Sequence, residues 1–399
     1  LITDTSVFHW SLEGDSGPIK QLDRHPNLNG TQIINYNVNS DGKWIFIVGI
    51  AAQDGRVVGT IQLYSTEKKV SQILEGHAAA FSELYTENTT TPYKLFSFAV
   101  RTATGARLHI VEIDHKDPNP PFQKRAVDVF FPQDAPNDFP VAMEIGGRYG
   151  VIFLVTKYGF IHLYDLETGT CIFMNRISND TIFTTTELEA TNGIIGVNRK
   201  GQVLSVSIDD DTIVSYLTNQ LGNRELAIKL AIRAGLPGCE SAVQERFASL
   251  LQKGQYVDAA KVAATSPRGI LRTTDTIERL KQLPIAPGQM SPILQYFVTL
   301  LERGTLNKYE TIELARPVLQ QNRKELLEKW LKEDKLECTE ELGDIVKQFD
   351  TTLALAVYMR ANVPNKVISC FAEIGQYNKI VLYAKKVDYK PDYIYLLQY

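Results

Sequence analysis

The residues with the clearest chemical potential lie near the start of the chain, where residues 14 to 18 read GDSGP. A Gly-Asp-Ser-Gly sequence can present a nucleophilic serine on a tight loop, and such a serine needs a histidine base within hydrogen-bond reach. His77, in the segment EGHAAAF, is the candidate base for Ser16. Together the two residues raise the hypothesis of a serine hydrolase.

Chain order and turn chemistry argue against that hypothesis. In chymotrypsin-like proteases the histidine precedes the serine, whereas Ser16 here precedes His77. Gly, Asp, Ser and Pro are also the residues that a tight connection between strands prefers. We therefore expect Ser16 to lie in a turn and His77 at the point where a strand leaves its sheet. The sequence predicts no catalytic residue and no enzyme.

Residues that bind metals or phosphates are dispersed along the chain. All six histidines lie at or before His162 without metal-ligand spacing, and residues 193 to 202 (GIIGVNRKGQ) lack the Gly-Lys-Ser/Thr of a phosphate loop. The cysteines form no Cys-x-x-Cys pair: Cys171, Cys239, Cys338 and Cys370. The sequence therefore predicts no metal and no cofactor, and it favours a reducing, cytoplasmic compartment.

Composition and length limit the classes of partner and fold. The net charge of −4 and the mixed signs of the charged residues, 22% of the chain, give no basic patch for nucleic acid. Apolar runs such as residues 150 to 155 are far shorter than a membrane span. A chain of 399 residues predicts more than one structural unit. Because it begins and ends within regular patterns, we expect it to be a fragment.

The first half of the chain has strand character. Residues 151 to 174 form three apolar runs about ten residues apart, separated by turns, which predicts an antiparallel meander. Similar units cover residues 44 to 74 and 93 to 131, and a fourth begins at 193. Their spacing of about 40 to 60 residues is typical of β-propeller blades. Trp-Asp dipeptides at blade ends are absent, so an ordinary WD40 propeller is not expected.

After the acidic residues 209 to 211, interpreted as a solvated linker, the apolar pattern becomes helical. Short amphipathic segments follow one another, and Gly-Gln-Tyr occurs at both 254 to 256 and 375 to 377. This repetition predicts stacked helix hairpins, in which the two glycines end helices and Tyr256 and Tyr377 pack between neighbours. The predicted fold class is an N-terminal β-propeller followed by an α-solenoid.

Four long segments, at residues 139 to 178, 193 to 206, 259 to 273 and 317 to 344, resemble the clathrin heavy chain, and the similarity extends over essentially the whole chain. The resemblance implies a seven-bladed propeller whose first blades would precede Leu1. It also implies three regions: residues 1–210 as the partial propeller, 211–283 as a helical linker, and 284–399 as the start of the proximal leg solenoid.

The resemblance implies a structural scaffold of vesicle coats in endocytosis and intracellular membrane traffic. Propellers of this family bind short adaptor peptides between blades, and the legs of trimeric heavy chains build a polyhedral lattice. Contact with membranes would be indirect, on coated pits and vesicles, and light chains and trimer contacts would lie beyond Tyr399. Another propeller-plus-solenoid scaffold, such as a coatomer, nuclear-pore or vacuolar tethering subunit, is the alternative.

The resemblance also implies two peptide sites. A groove between the fourth and fifth blades would use Trp44, Leu63, Val70 and Leu74, with Lys68 and Gln72 as polar partners. Lys68 departs from the arginine that animal relatives tend to carry, and it lacks the planar fork that binds a carboxylate through two nitrogens. A second pocket would use Gln32, Ile34 and Ile50 for an aromatic anchor. Without the resemblance, Trp44, Leu63 and Ile50 would be interpreted as blade core.

Overall fold

The computed structural model describes residues 3, 6–9, 20–86, 89, 91–102, 105–115, 120–133, 135, 137–285 and 290–391. It contains two compact units, Leu1–Cys239 and Glu240–Tyr399. Ser16 and its predicted turn lie outside the described residues, and the three predicted regions stay a prediction. Among the helices of the described ranges, none is long and apolar enough to cross a membrane.

The first unit consists of antiparallel sheets, each formed by consecutive strands. Its strands, grouped by sheet, are β1 (Ser6–His9) and β2 (Lys20–Asp23); β3 (Gln32–Val38), β4 (Trp44–Gln53), β5 (Arg56–Ser65) and β6 (Val70–Glu75); β7 (Ala78–Leu84), β8 (Tyr93–Arg101), β9 (Ala106–Glu112) and β10 (Arg125–Asp128); β11 (Pro140–Gly146), β12 (Val151–Thr156), β13 (Phe160–Asp165) and β14 (Cys171–Arg176); and β15 (Ile182–Leu188), β16 (Gly193–Asn198) and β17 (Val203–Val206). The predicted meanders are confirmed as blades of a β-propeller.

Each of the four larger sheets begins with a strand that the sequence analysis did not predict. These strands are β3, β7, β11 and β15, and neighbouring members pack beside one another, which makes them the inner strands of the blades. Their sequences, such as AAAFSEL in β7 and IFTTTEL in β15, contain small and polar residues. Such strands carry a weak apolar alternation, so only their packing partners identify them.

His77 ties two neighbouring blades together. It lies in the short connection between β6 and β7 and is 1% exposed. Its Nε2 lies 3.0 Å from the carbonyl oxygen of Val57, and its Nδ1 accepts a hydrogen bond from the amide of Arg101 at 3.2 Å. Burial lowers the pKa of His77. Its ring therefore serves as a neutral structural crosslink, with no serine near it among the contacts described.

A second buried histidine lies on β13. The ring of His162 is 1% exposed and packs between Tyr164 and Phe131, with ring centroids 6.3 and 5.9 Å away. Its Nε2 has no hydrogen-bond partner within the described part of the chain. Burial lowers the pKa of His162 to about 4. The folded ring therefore stays neutral at pH values where an exposed histidine is charged.

We expect mild acid to destabilise the first unit through His162. The unfolded side chain takes up a proton below its ordinary pKa of about 6.5, whereas the folded one does not, which removes about 2 kcal/mol between pH 7 and pH 5. In urea unfolding at the two pH values, the variant His162→Phe should lose this contribution and keep that of His77, whose pKa is also lowered by burial. The exposed His115→Phe is the control, and equal pH dependence of His162→Phe and the parent chain would refute the expectation.

Two helices, α1 (Ile213–Asn219) and α2 (Arg224–Ala234), complete the first unit. The Arg233 side chain of α2 is 8% exposed and ion-pairs with Asp165 at 2.7 Å and Glu167 at 2.8 Å. Its Nη1 also donates to the carbonyl oxygens of Tyr149 and Gly150. Both terminal nitrogens of the guanidinium are directed at the turns that follow β11 and β13. We call these five residues the Arg233 cluster.

Removal of the cation should strongly destabilise the first unit. Arg233→Met leaves the fully buried Asp165 carboxylate without its partner, at an expected cost of about 3 to 5 kcal/mol in the free energy of unfolding. Lys229→Met is the matched control, because Lys229 also contacts Glu167 but is 29% exposed and should cost about 1 kcal/mol or less. Chemical denaturation measures both. Adding Asp165→Asn to Arg233→Met should recover part of the loss, and no recovery would contradict the assignment.

The second unit is helical. Its helices are α3 (Glu240–Gln252), α4 (Tyr256–Ala264), α5 (Thr274–Gln282), α6 (Pro292–Arg303), α7 (Lys308–Gln320), α8 (Lys324–Lys332), α9 (Glu340–Lys347), α10 (Thr351–Arg360), α11 (Pro364–Glu373) and α12 (Tyr377–Lys386). Gly254 and Gly375 follow helices with φ of 71° and 77°, so their predicted helix-ending role is confirmed. Tyr377 is 59% exposed at the start of α12, the last described helix, so its predicted packing between neighbouring hairpins stays a prediction.

A buried carboxylate connects successive helices of this unit. Glu310, in the first turn of α7, is fully buried and completes a capping box with Asn307. It also accepts a hydrogen bond from the Tyr296 hydroxyl of α6 at 3.0 Å and pairs with Arg272, which precedes α5. One side chain thus links α7 to α6 and to the segment before α5.

Candidate functional site: a groove between two blades

The predicted groove residues share one face of the sheet β3–β6. Residues directly opposite each other on antiparallel strands point to the same side. The register places Trp44, Ser65 and Val70 in one row across β4, β5 and β6. The next rows along the strands are Phe46, Leu63 and Gln72, and then Val48, Ile61 and Leu74. The structure therefore brings five of the six predicted residues onto one surface.

Burial decreases across this face from the inner strands to the outer strand β6. Leu63 is 4% exposed and packs with Phe96 and Ile113 of the next blade, whereas Val70 is 61% exposed. Trp44 and Leu74 are half-buried at the margin of the same apolar cluster. Leu63 is therefore part of the blade core, which agrees with the interpretation made without the resemblance. The outer residues form the accessible wall of a groove.

Polar groups lie at one end of the groove. The Trp44 Nε1 donates to Asp114 Oδ2 of the neighbouring blade at 2.8 Å, which orients the indole ring. Lys68 is exposed in the turn between β5 and β6, where its backbone amide donates to Ser65 Oγ, and Gln72 is exposed on β6. Asp114 was missed by the sequence analysis because it lies 70 residues from Trp44, and no local signal marks it.

The second predicted pocket lies at the opposite end of the same face. Gln32 pairs directly with Ile50, so both point to the groove side of the sheet. Ile34 falls at a register shift between Ile33 and Asn35, and it packs against the apolar cluster of the groove. Gln32 is exposed and Ile50 half-buried. The structure places Gln32, Ile34 and Ile50 together. The row of side chains that contains Val48, Ile61 and Leu74 separates them from Gln72 and Val70.

The described residues contain no group of three or more His, Cys, Asp or Glu side chains that could hold a metal ion. The groove instead offers half-buried apolar side chains, an exposed ammonium group and an exposed amide. This arrangement suits an extended segment with apolar anchors and a carboxylate, because apolar side chains can pack against Trp44 and Leu74 while Lys68 attracts the charge.

Substitution of one buried and one exposed apolar residue, Leu63 and Val70, should distinguish the blade core from the accessible wall of the groove. Leu63→Ala should lower the free energy of unfolding by about 3 kcal/mol because it leaves a cavity between blades. Val70→Thr keeps the β-branched shape at an exposed site and should change stability by less than about 0.5 kcal/mol. Urea denaturation measures both. A large loss for Val70→Thr would show that β6 is packed against a partner in solution.

A β-propeller followed by stacked helices defines the class of propeller-plus-solenoid proteins. Three sequence profiles match the chain: clathrin propeller repeat at residues 175–209, clathrin heavy-chain linker at 210–233, and clathrin-H-link at 235–300.

Whole-length similarity to individual proteins identifies the family within this class. The chain is 59% identical to clathrin heavy chain 2 of Homo sapiens and 58% identical to the clathrin heavy chain of Drosophila melanogaster. It is 52% identical to a probable clathrin heavy chain of Schizosaccharomyces pombe. All of this chain is aligned, and it spans 24% of the length of each relative. The chain belongs to the clathrin heavy-chain family.

Proposed function

We propose that the chain is part of a vesicle-coat scaffold whose propeller binds short adaptor peptides. The observation that carries the proposal is similarity above 50% identity to clathrin heavy chains of animals and a yeast along the entire chain. It supports this function over a coatomer, nuclear-pore or vacuolar tethering subunit. The role is noncatalytic, and it serves endocytosis and intracellular membrane traffic.

The two units have different parts in this function. The groove on the sheet β3–β6 binds peptides through Trp44, Lys68, Val70, Gln72 and Leu74, with the buried Leu63 packed beneath them, and the pocket at Gln32, Ile34 and Ile50 takes an aromatic anchor. The stacked helices of the second unit supply length, since each hairpin needs contacts only with its neighbours. Many weak peptide contacts then add together in a lattice.

The proposed partners follow from the relatives named as clathrin heavy chains. They are adaptor proteins, other heavy chains in a trimer and lattice, and light chains, the latter two through parts of the protein beyond these residues. The proposed location is the cytoplasmic face of coated pits and vesicles, with membrane contact only through adaptors. No nucleic acid or cofactor is required.

Fluorescence anisotropy with a labelled peptide, Ser-Leu-Leu-Glu-Leu-Glu-Ser-Gly, tests the groove. We expect weak binding that Gln72→Ala reduces and that Lys68→Glu reduces about tenfold or more, because the cation faces the peptide carboxylates. Lys68→Arg should tighten binding severalfold, since a guanidinium can contact a carboxylate through two nitrogens.

The control is Lys379→Glu, an equal charge reversal at an exposed position of α12 in the second unit. Equal weakening by Lys68→Glu and Lys379→Glu would indicate an effect of net charge alone. Binding that ignores Gln72→Ala and both Lys68 variants would contradict the assignment of this groove.

A further inference from the structure

A cavity of about 890 Å³ opens on the sheet β7–β10, and none of the roles described above uses it. Its walls come from the ends of β8 and β10, the start of β9 and the segment after β10. The charged and aromatic residues that line it are Arg101, Arg107, His109, Asp128, Phe130 and Phe131. A cavity of this size holds several side chains of an extended peptide.

Strand register places the charged wall of this cavity on the groove side of its sheet. Val100 pairs with Arg107, which pairs with Asp128, and the adjacent row contains Phe98 and His109. Phe98 packs against the apolar cluster shared with the sheet β3–β6 and stacks on His109, with centroids 4.8 Å apart. The wall formed by Val100, Arg107, His109 and Asp128 is therefore on the blade face that adjoins the predicted groove, whereas Ala106, Val129 and Phe131 line the cavity from the opposite face.

The length of β9 gives the distance between the cavity and the Trp44 end of the groove. Asp114, which accepts the hydrogen bond of Trp44, lies just after β9, and Arg107 lies near the opposite end of that strand. The strand from Arg107 to Glu112 spans about 17 Å, at about 3.3 Å per residue, and Asp114 lies two residues further along the chain. An extended peptide that starts at Trp44 would therefore reach Arg107 after about seven residues.

The charges at the cavity can be exchanged for those of a ligand. Arg107 Nε lies 3.2 Å from Asp128 Oδ1, and each side chain is 65% exposed, so water competes with this ion pair. Burial, with the positive charges of Arg107 and Lys124, lowers the pKa of His109. Phe130 is 72% exposed and lines the same cavity as Asp128. The cavity thus presents the Arg107 cation beside an uncovered aromatic ring.

We propose that this cavity is a second subsite of the same groove, which binds the acidic and aromatic continuation of an extended peptide held at Trp44, Val70 and Gln72. A ligand carboxylate replaces Asp128 on Arg107, and a ligand aromatic side chain covers Phe130. The inference rests on the proposed peptide-binding function of the groove. It adds length and charge to the ligand, and it makes Arg107 a residue that determines specificity.

The test compares one short and two long labelled peptides on the complete 399-residue chain. The short peptide is the Ser-Leu-Leu-Glu-Leu-Glu-Ser-Gly probe. The long ones add Gly-Ser-Gly-Ser-Phe-Glu-Glu after it, or the reverse sequence before it, because the direction of the bound peptide is open. One long peptide should bind about fivefold or more tightly than the short one, because the linked segment binds intramolecularly.

Two matched variants distinguish ligand binding from structural support. Arg107→Gln and Asp128→Asn both break the same exposed ion pair and should leave stability nearly unchanged. Arg107→Gln should remove the gain of the long peptide, whereas Asp128→Asn should increase it about threefold by freeing the guanidinium and removing a repelling charge. The short peptide should bind both variants like the parent chain.

Each outcome decides between the two proposals. Equal binding of the short and long peptides overturns the second subsite and leaves the groove assignment intact. A gain that Arg107→Gln and Asp128→Asn change in the same direction also overturns it, since both then act only through the lost ion pair. Failure of all three peptides to bind overturns the groove and the subsite together.

Discussion

The buried cation Arg233 fixes the position of α2 on the blades of the first unit. Arg233 enters the blade turns from α2 and binds two carboxylates and two backbone carbonyls at once. Gly150 has a φ of 63°, and an added Cβ there would lie 2.6 Å from the Arg233 Nη1. The turn must therefore stay free of a side chain for the guanidinium to reach its partners. Because a misplaced ion of this kind is costly, the position of α2 on the first unit is closely fixed.

The same sheet face serves for packing and for recognition. Its inner rows fill the space between blades, and its outer strand is left open beside Trp44, whose indole is held by Asp114. The half-buried groove residues are therefore preorganised by core packing, which lowers the entropic cost of binding a flexible peptide. A substitution of Leu63 changes the stability of the fold and a substitution of Gln72 changes peptide binding, although the two residues are direct cross-strand neighbours.

The sequence was sufficient for features that depend on local patterns. Middle and outer strands stand out as short apolar runs separated by turns, and most helices end at a recognisable glycine or begin at a capping residue, so both classes were predicted. The inner strands were not, because their small and polar residues lack that pattern. The partners Asp114 of Trp44 and Asp165 of Arg233 were also missed, since contacts 70 and 68 residues apart leave no local signal. The site residues came from resemblance, and the register explains why they share a face.

The construction of every sheet from consecutive strands affects the order in which the protein can fold. A chain that emerges from the ribosome can complete one meander before the next is synthesised, because each strand pairs with its neighbour in sequence. Arg233 reaches Asp165 only after another whole sheet has been made. Its ion pairs therefore form late, after several local and rapidly formed contacts. They can form only when the preceding turns have reached their native shape.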